Sequence, residues 1–164
     1  IGKPPTFTYD EADDRIRFNG HDRVGAEMAE KILRTLKYSN KTVESACAMV
    51  SNHMNFMNVQ HMRTAKVKRF MSRPTFEDEM ELHRVDCASS NGFTENYDFL
   101  RGKQKEFAAE PLIPEPLITG KDLIDLGMKP GPEFKAILTA IQTEQLEGKI
   151  NSREEAITYA KTQK

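Results

Sequence analysis

Apolar residues recur three or four positions apart through most of this chain, and prolines and glycines interrupt the pattern often enough to allow only helices of modest length. Val24, Met28, Ile32 and Leu36, joined by Ala29 and Leu33, mark an amphipathic helix from about His21 to Lys37. Thr42 is placed to cap a second helix to about Met54, with Glu44 in its first turn and Val43, Cys47, Val50 and Met54 as its apolar stripe. A third pattern runs from about Val59 to Ser72, and Pro74 suits the first turn of a fourth helix carrying Phe76, Met80, Leu82 and Val85. Ser89-Ser90-Asn91-Gly92 is a stop, after which a fifth helix runs from about Thr94 to Ala109. Pro111, Pro114 and Pro116 make the next stretch non-helical. Thr119 then suits the N-cap of a short helix through Leu123, Ile124 and Leu126, and Pro132 the first turn of a longer one ending near Gly148. Ser152 with Glu155 has the pattern of a capping box for a last helix to about Gln163. Only Thr6 to Phe18, alternating on both sides of a polar turn, suggests a short hairpin or an extended arm. The expected fold is all-α: a five-helix bundle over residues 1–110, a proline-bearing linker at 111–118 and a three-helix tail at 119–164.

The 164 residues leave room for one domain with a small appendage. Lys and Arg number 24 against 25 Asp and Glu, and the resulting net charge of -1 excludes a strongly basic nucleic-acid coater, so any charge-driven binding needs local patches. No apolar run approaches the roughly 18 to 20 residues of a membrane span and no signal peptide opens the chain, which points to a soluble, cytoplasmic protein with no membrane partner. Cys47 and Cys87 both fall in helical patterns and are expected as reduced, buried thiols. The opening Ile1-Gly2-Lys3-Pro4-Pro5, without Met, suggests a piece of a longer polypeptide.

Three groups of residues carry possible chemistry. Arg63, Lys66, Lys68, Arg69 and Arg73 form a basic run with no acid among them, and Arg63, Lys66, Arg69 and Arg73 fall along one helical face. Such a stripe is able to track a phosphate backbone, and it is equally an ordinary solvated face offsetting Glu77, Asp78, Glu79 and Glu81. The stretch from Pro116 to Leu138 is helix, glycine-proline turn, helix, with Lys121, Lys129 and Lys135 near the exposed ends and Gly131 in the turn. Free amides at such a helix start accept a phosphate, although a tight helical hairpin with solvated lysines has the same pattern. His21, His53 and an inward Asp86 are candidates for metal ligands or for satisfied polar residues of the core, and three ligands alone do not close a site. His61 and His83 have no spacing that argues for a site. No phosphate-binding glycine loop, nucleophile elbow or paired strand aspartates for two magnesium ions occur, so no catalytic residue is assigned.

The runs Phe18-Asn-Gly-His-Asp-Arg-Val-Gly-Ala-Glu-Met-Ala29, Asn52-His-Met54, Leu82-His-Arg-Val-Asp-Cys87 and Leu117-Ile-Thr-Gly-Lys-Asp-Leu123 through Lys129-Pro-Gly-Pro132 resemble the C-terminal part of bacterial tRNA nucleotidyltransferases (CCA-adding enzymes) and poly(A) polymerases. The resemblance covers nearly the whole chain. It implies a helical subdomain similar to HD phosphohydrolases, followed by a tail that grips RNA. In that subdomain a His-Asp pair precedes Ile-Gly-Lys-Pro, so Ile1-Gly2-Lys3-Pro4 implies a chain that starts just after the pair. His21, His53 and Asp86 match positions that help hold a divalent metal in HD hydrolases, while the magnesium-dependent nucleotidyltransferase head lies outside these residues. The implied partner is RNA, as tRNA or another RNA 3′ end, held without a cofactor where Lys121, Lys129, Gly131 and Lys135 lie, and the basic run Arg63, Lys66, Lys68, Arg69 and Arg73 is expected to join them on its own charge pattern. The alternatives are the remnant of a metal-dependent HD phosphohydrolase and, favoured by the neutral net charge, a protein-interaction module.

Overall fold

The computed structural model describes residues 1–90 and 92–163, so Asn91, within the sequence stop at Ser89–Gly92, lies outside the described residues. Eight α-helices and a two-stranded hairpin make up the regular structure of the described residues, and the fold is a mostly helical one, as the apolar spacing predicts. No described helix is long and apolar enough to cross a membrane. The chain divides into two compact units, one of Ile1–Gln60 with Pro74–Lys103 and one of His61–Arg73 with Gln104–Lys164.

The first unit opens with a 3-10 turn at Pro4–Thr6 and an antiparallel hairpin, β1 (Thr8–Asp10) and β2 (Arg15–Arg17), with Tyr9 opposite Ile16. Arg17 ties the hairpin together, its Nε donating to Asp10 at 2.9 Å and its guanidinium pairing with Asp13. Helix α1 (His21–Thr35) follows, yet Ile32 and Leu36 are exposed. A strict four-residue repeat precesses on a 3.6-residue helix, so twelve residues carry the stripe about 120° away from Val24. Helix α2 (Asn40–Asn52) starts earlier than expected because the Ser39 hydroxyl, not that of Thr42, is the cap and accepts the Thr42 N–H at 3.2 Å.

From His53 to His61 the chain is 3-10, not the start of a third α-helix, with Phe56 and Val59 fully buried. In α4 (Phe76–Ser90) the buried face is Phe76, Glu79, Met80, His83 and Cys87, while Leu82 and Val85, expected inward, are exposed. The spacing 76, 80, 83, 87 is the true inward stripe, and its polar members obscured it. Glu79 is only 1 % exposed, and its Oε1 accepts from Thr75 Oγ1 at 2.7 Å and Asn52 Nδ2 at 3.2 Å. These bonds provide the partners a buried carboxylate requires and fasten the end of α2 to α4. Helix α5 (Glu95–Glu106) places Leu100 in the core and pairs Arg101 with Glu77 at 3.1 Å.

The second unit holds α3 (Thr64–Met71), α6 (Gly120–Asp125), α7 (Pro132–Leu146) and α8 (Arg153–Lys161). Its core joins Ile118, Leu123, Ile137, Ile141, Ile150, Ala156 and Ala160, so the linker region contributes Ile118 directly. Gly127 at φ 80° and Gly148 at φ 74° end α6 and α7 in the left-handed conformation that glycine adopts without strain. The Ser152–Glu155 box forms as expected, with Ser152 Oγ accepting the Glu155 N–H at 3.2 Å. The sequence division assigned residues 61–73 to the bundle, whereas they pack here on α7. Arg63 caps α3 without a side-chain bond, and Glu147 Oε1 accepts the Ala65 N–H at 2.9 Å in its place. Arg69 Nη2 adds a bond to Thr143 Oγ1 at 2.9 Å.

Asp122 stitches α6 to α8. Its Oδ2 accepts from the Thr119 N–H at 2.7 Å and the Thr119 hydroxyl at 2.8 Å, and its other oxygen pairs with Arg153. The Thr119 amide, then Arg153 and the Thr119 hydroxyl, draw its pKa from 3.8 down to about 2. A depressed carboxyl pKa contributes stability above the unfolded value and loses it as the pH falls through the folded one. Asp122→Ala is therefore expected to lower the urea midpoint at pH 6, with the gap to the parent protein closing as the pH falls from about 4 to about 2. A gap of equal size at pH 2 contradicts this account. Glu147→Ala should cost about 1 kcal/mol in urea unfolding, as losing a helix cap does, and Glu147→Gln should recover much of it because the amide oxygen still accepts.

Candidate nucleic-acid interface and histidine pair

The basic run lies on and beside α3, where packing on α7 sorts its members. Ala65, Val67, Phe70 and Met71 turn inward, leaving Arg63 and Lys66 exposed, and neither has an ion-pair partner among the described residues. The other three are half-buried in contacts of their own. Lys68 Nζ lies 5.1 Å from the centroid of the Phe107 ring, and the Arg73 guanidinium 4.1 Å from that of Phe70. Arg69 is the donor to Thr143 described above. The stripe is therefore divided between cations offered to solvent and cations engaged within the fold.

A second basic group surrounds the turn between α6 and α7. Lys121, Lys129 and Lys135 are exposed, without ion-pair partners among the described residues. Gly131 caps α7 with an extended backbone at φ -173° and no side-chain bond, and Pro132 at the first helical position fulfils its sequence expectation. Beside this helix start lies a cavity of about 580 Å³ whose walls include Pro116, Ile118, Gly131, Phe134, Lys135 and Leu138.

In the first unit the structure brings His21 and His53 together. His21 Nδ1 lies 2.7 Å from the Phe18 carbonyl oxygen and His53 Nδ1 2.6 Å from that of Val50. A carbonyl only accepts, so each Nδ1 carries the proton. The two Nε2 atoms then face each other at 3.1 Å, an arrangement that needs a shared proton or a bound cation between them. Asp86 is exposed on α4, contrary to the inward position expected of it, and lines the same cavity of about 310 Å³ with Ile1, Gly2, Lys3 and Gly25. Gly2 lies so close to α1 that a Cβ there would come 2.0 Å from the His21 carbonyl oxygen. Two nitrogen donors and a nearby carboxylate suit a transition-metal ion in donor type. No group of three or more His, Cys, Asp and Glu able to hold a metal occurs among the described residues.

His83, to which the sequence assigned nothing, is buried and stacked on Phe56 with ring centroids 4.7 Å apart. Burial pushes its pKa down, against the opposing effect of Asp86, and burial pushes the neighbouring Cys87 thiol up. A thiol held protonated is a packing group rather than a nucleophile. Both cysteines are free, as expected, with Cys87 buried and Cys47 half-buried. Sequence reasoning also missed Lys149, placed just beyond the Gly148 turn. The only signal for it was a basic residue following a helix-ending glycine.

Comparison with known proteins places these features in a family. The chain is 31% identical to the A-adding tRNA nucleotidyltransferase of Deinococcus radiodurans over 169 residues, covering 97% of this chain and 38% of that protein. It is 32% identical to the CC-adding tRNA nucleotidyltransferase of Thermus thermophilus over 161 residues, covering 97% of this chain and 37% of that protein. A shorter match to the CC-adding tRNA nucleotidyltransferase of Synechocystis reaches 54% identity over 48 residues, 29% of this chain and 12% of that one. The chain thus spans under two-fifths of the length of these relatives. No solved structure matches it. The profile of the family described as tRNA nucleotidyltransferase domain 2 matches residues 22–160, most of the chain, and the protein belongs to that family.

Proposed function

We propose that this region holds RNA for a tRNA nucleotidyltransferase, gripping the phosphate backbone and presenting the 3′ end to a magnesium-dependent catalytic head outside these residues. The reading rests on one observation above others: a member of this family exposes unpaired cations from α3 and from the α6–α7 turn within one compact unit. With a net charge of -1, the chain as a whole is not drawn to nucleic acid, so recognition falls to these local groups. Backbone contacts position an RNA without reading its bases, which suits a region that holds many tRNAs alike. The A-adding and CC-adding names of the relatives fit a body that serves either chemistry, with the nucleotide chosen elsewhere.

Full-length tRNA titrated against the protein across a salt series tests this. Binding should weaken with salt and favour tRNA over duplex DNA. Reversing Arg63 and Lys66 to glutamate should lower the affinity and flatten the salt slope by about 0.7 to 0.9 for each phosphate that is no longer neutralised. An unchanged affinity in the double variant rules out this patch as the RNA surface.

The histidine pair supports a second, compatible reading. We infer that His21 and His53 offer Nε2 donors to a divalent metal, with Asp86 in the same cavity, as in a phosphohydrolase-like subdomain. Such an ion would supply Lewis-acid activation of a phosphate oxygen or of water. Zinc or manganese should then raise the thermal midpoint of the protein, and His53→Ala should abolish the rise. A midpoint that ignores both metals leaves the pair as a purely structural contact.

A further inference from the structure

The bond from the Ala65 N–H to Glu147 Oε1, 2.9 Å long, brings the start of α3 to the end of α7. Arg63 stands two residues before Ala65 and Lys149 two residues after Glu147, so the bond gathers cations from distant parts of the sequence at one corner. Gly148, at φ 74°, reverses the chain so that the Lys149 N–H returns to the Glu144 carbonyl oxygen at 2.9 Å, which sets the direction of the Lys149 side chain. Lys66, in the first turn of α3, follows Arg63, the N-cap of that helix, by three residues.

The carboxylates nearby are already engaged. Glu147 serves the α3 amide, and Glu144 Oε2 lies 2.9 Å from Lys149 Nζ. That pair is solvent-exposed on the lysine side, where the side chain is 64% accessible, and a surface ion pair of this kind yields easily to a stronger anion. Glu144 first, and Glu147 after it, raise the Lys149 ammonium above its usual range, while burial and Arg63 oppose them, so Arg63 and Lys149 lie within electrostatic reach of each other.

Resting on the RNA-holding reading above, we propose that Arg63, Lys66 and Lys149 form one phosphate-binding site at the junction of α3 and α7, taking a backbone phosphate of RNA. Arg63 and Lys149 lie within electrostatic reach of each other, Lys66 stands three residues from Arg63, and among the described residues only Lys149 is in an ion pair, so an anion relieves the repulsion between the cations. Arginine supplies the planar fork that matches phosphate oxygens, and the two lysines act as point charges beside it.

The test is tRNA binding at 50 and 200 mM salt by the parent protein, Arg63→Gln, Lys149→Gln and Lys161→Gln, an exposed lysine on α8 that serves as the control. Both site variants should bind more weakly at 50 mM, with the gap to the parent narrowing about threefold by 200 mM, and with thermal midpoints unmoved. The control should track the parent. If Arg63→Gln changes the slope and Lys149→Gln does not, the three-cation site is overturned while RNA binding stands. If the parent binds no RNA even at 50 mM, the RNA reading fails by itself, and an NMR titration with inorganic pyrophosphate decides the site. Shifts confined to Arg63, Lys66 and Lys149 would retain an anion site for a free phosphate compound, and their absence would overturn it.

Discussion

The second unit depends on a carboxylate borrowed across the sequence. Helix α3 is eight residues long, carries no acid in its first turn and has no side-chain cap of its own, a poor candidate for an independent helix. Glu147 supplies the missing acceptor from the far end of α7, and Arg69 adds a bond to Thr143 on the same helix. Once α3 is seated, its apolar side turns inward with Phe70 and Met71, and its basic side divides. Lys68 and Arg73 lie over aromatic rings, while Arg63 and Lys66 remain exposed. The same contact therefore builds the helix, selects the cations left for a ligand and brings Lys149 within electrostatic reach of Arg63.

The first unit is organised around polar groups removed from solvent. Glu79 is buried by α4 yet satisfied by Thr75 and Asn52, and through Asn52 it anchors the end of α2 where His53 begins. His21 starts α1 and meets His53 across the contact of the two helices. The N-terminal segment closes over them at Gly2, where any side chain would collide with the His21 carbonyl. Each histidine donates its Nδ1–H to a local carbonyl, which aims the remaining nitrogen at its partner. Burial, backbone geometry and tautomer thus converge on one small cavity whose lining joins α1, the end of α2 and α4.

Local chemistry was legible in the sequence wherever an element is set by its own residues. The Ser152–Glu155 box, Pro132 in the first turn of α7, the glycine stop at Gly148 and the hairpin before α1 involve partners only a few positions apart. Where a choice depended on a partner elsewhere, the pattern misled. Leu82 and Val85 are the more apolar residues of α4, yet Glu79 and His83 face inward because Asn52 and Phe56 receive them. Residues 53–61 carry enough apolar character to suggest part of a helix, yet they coil as 3-10 structure that buries Phe56 and Val59. Asp86 shared a helix with the expected inward face, and a rotation about α4 leaves it exposed, lining the histidine cavity rather than buried in the core.

By itself the sequence determined the helical class, most helix boundaries and the family, because capping, proline geometry and apolar spacing act within one or two turns. Tertiary structure alone decided which basic residues stay free, that residues 61–73 join the second unit, and that Lys149 stands with Arg63. The reason is physical: a carboxylate is satisfied by whatever donor the fold brings within about 3 Å, and no local pattern records which donor that is.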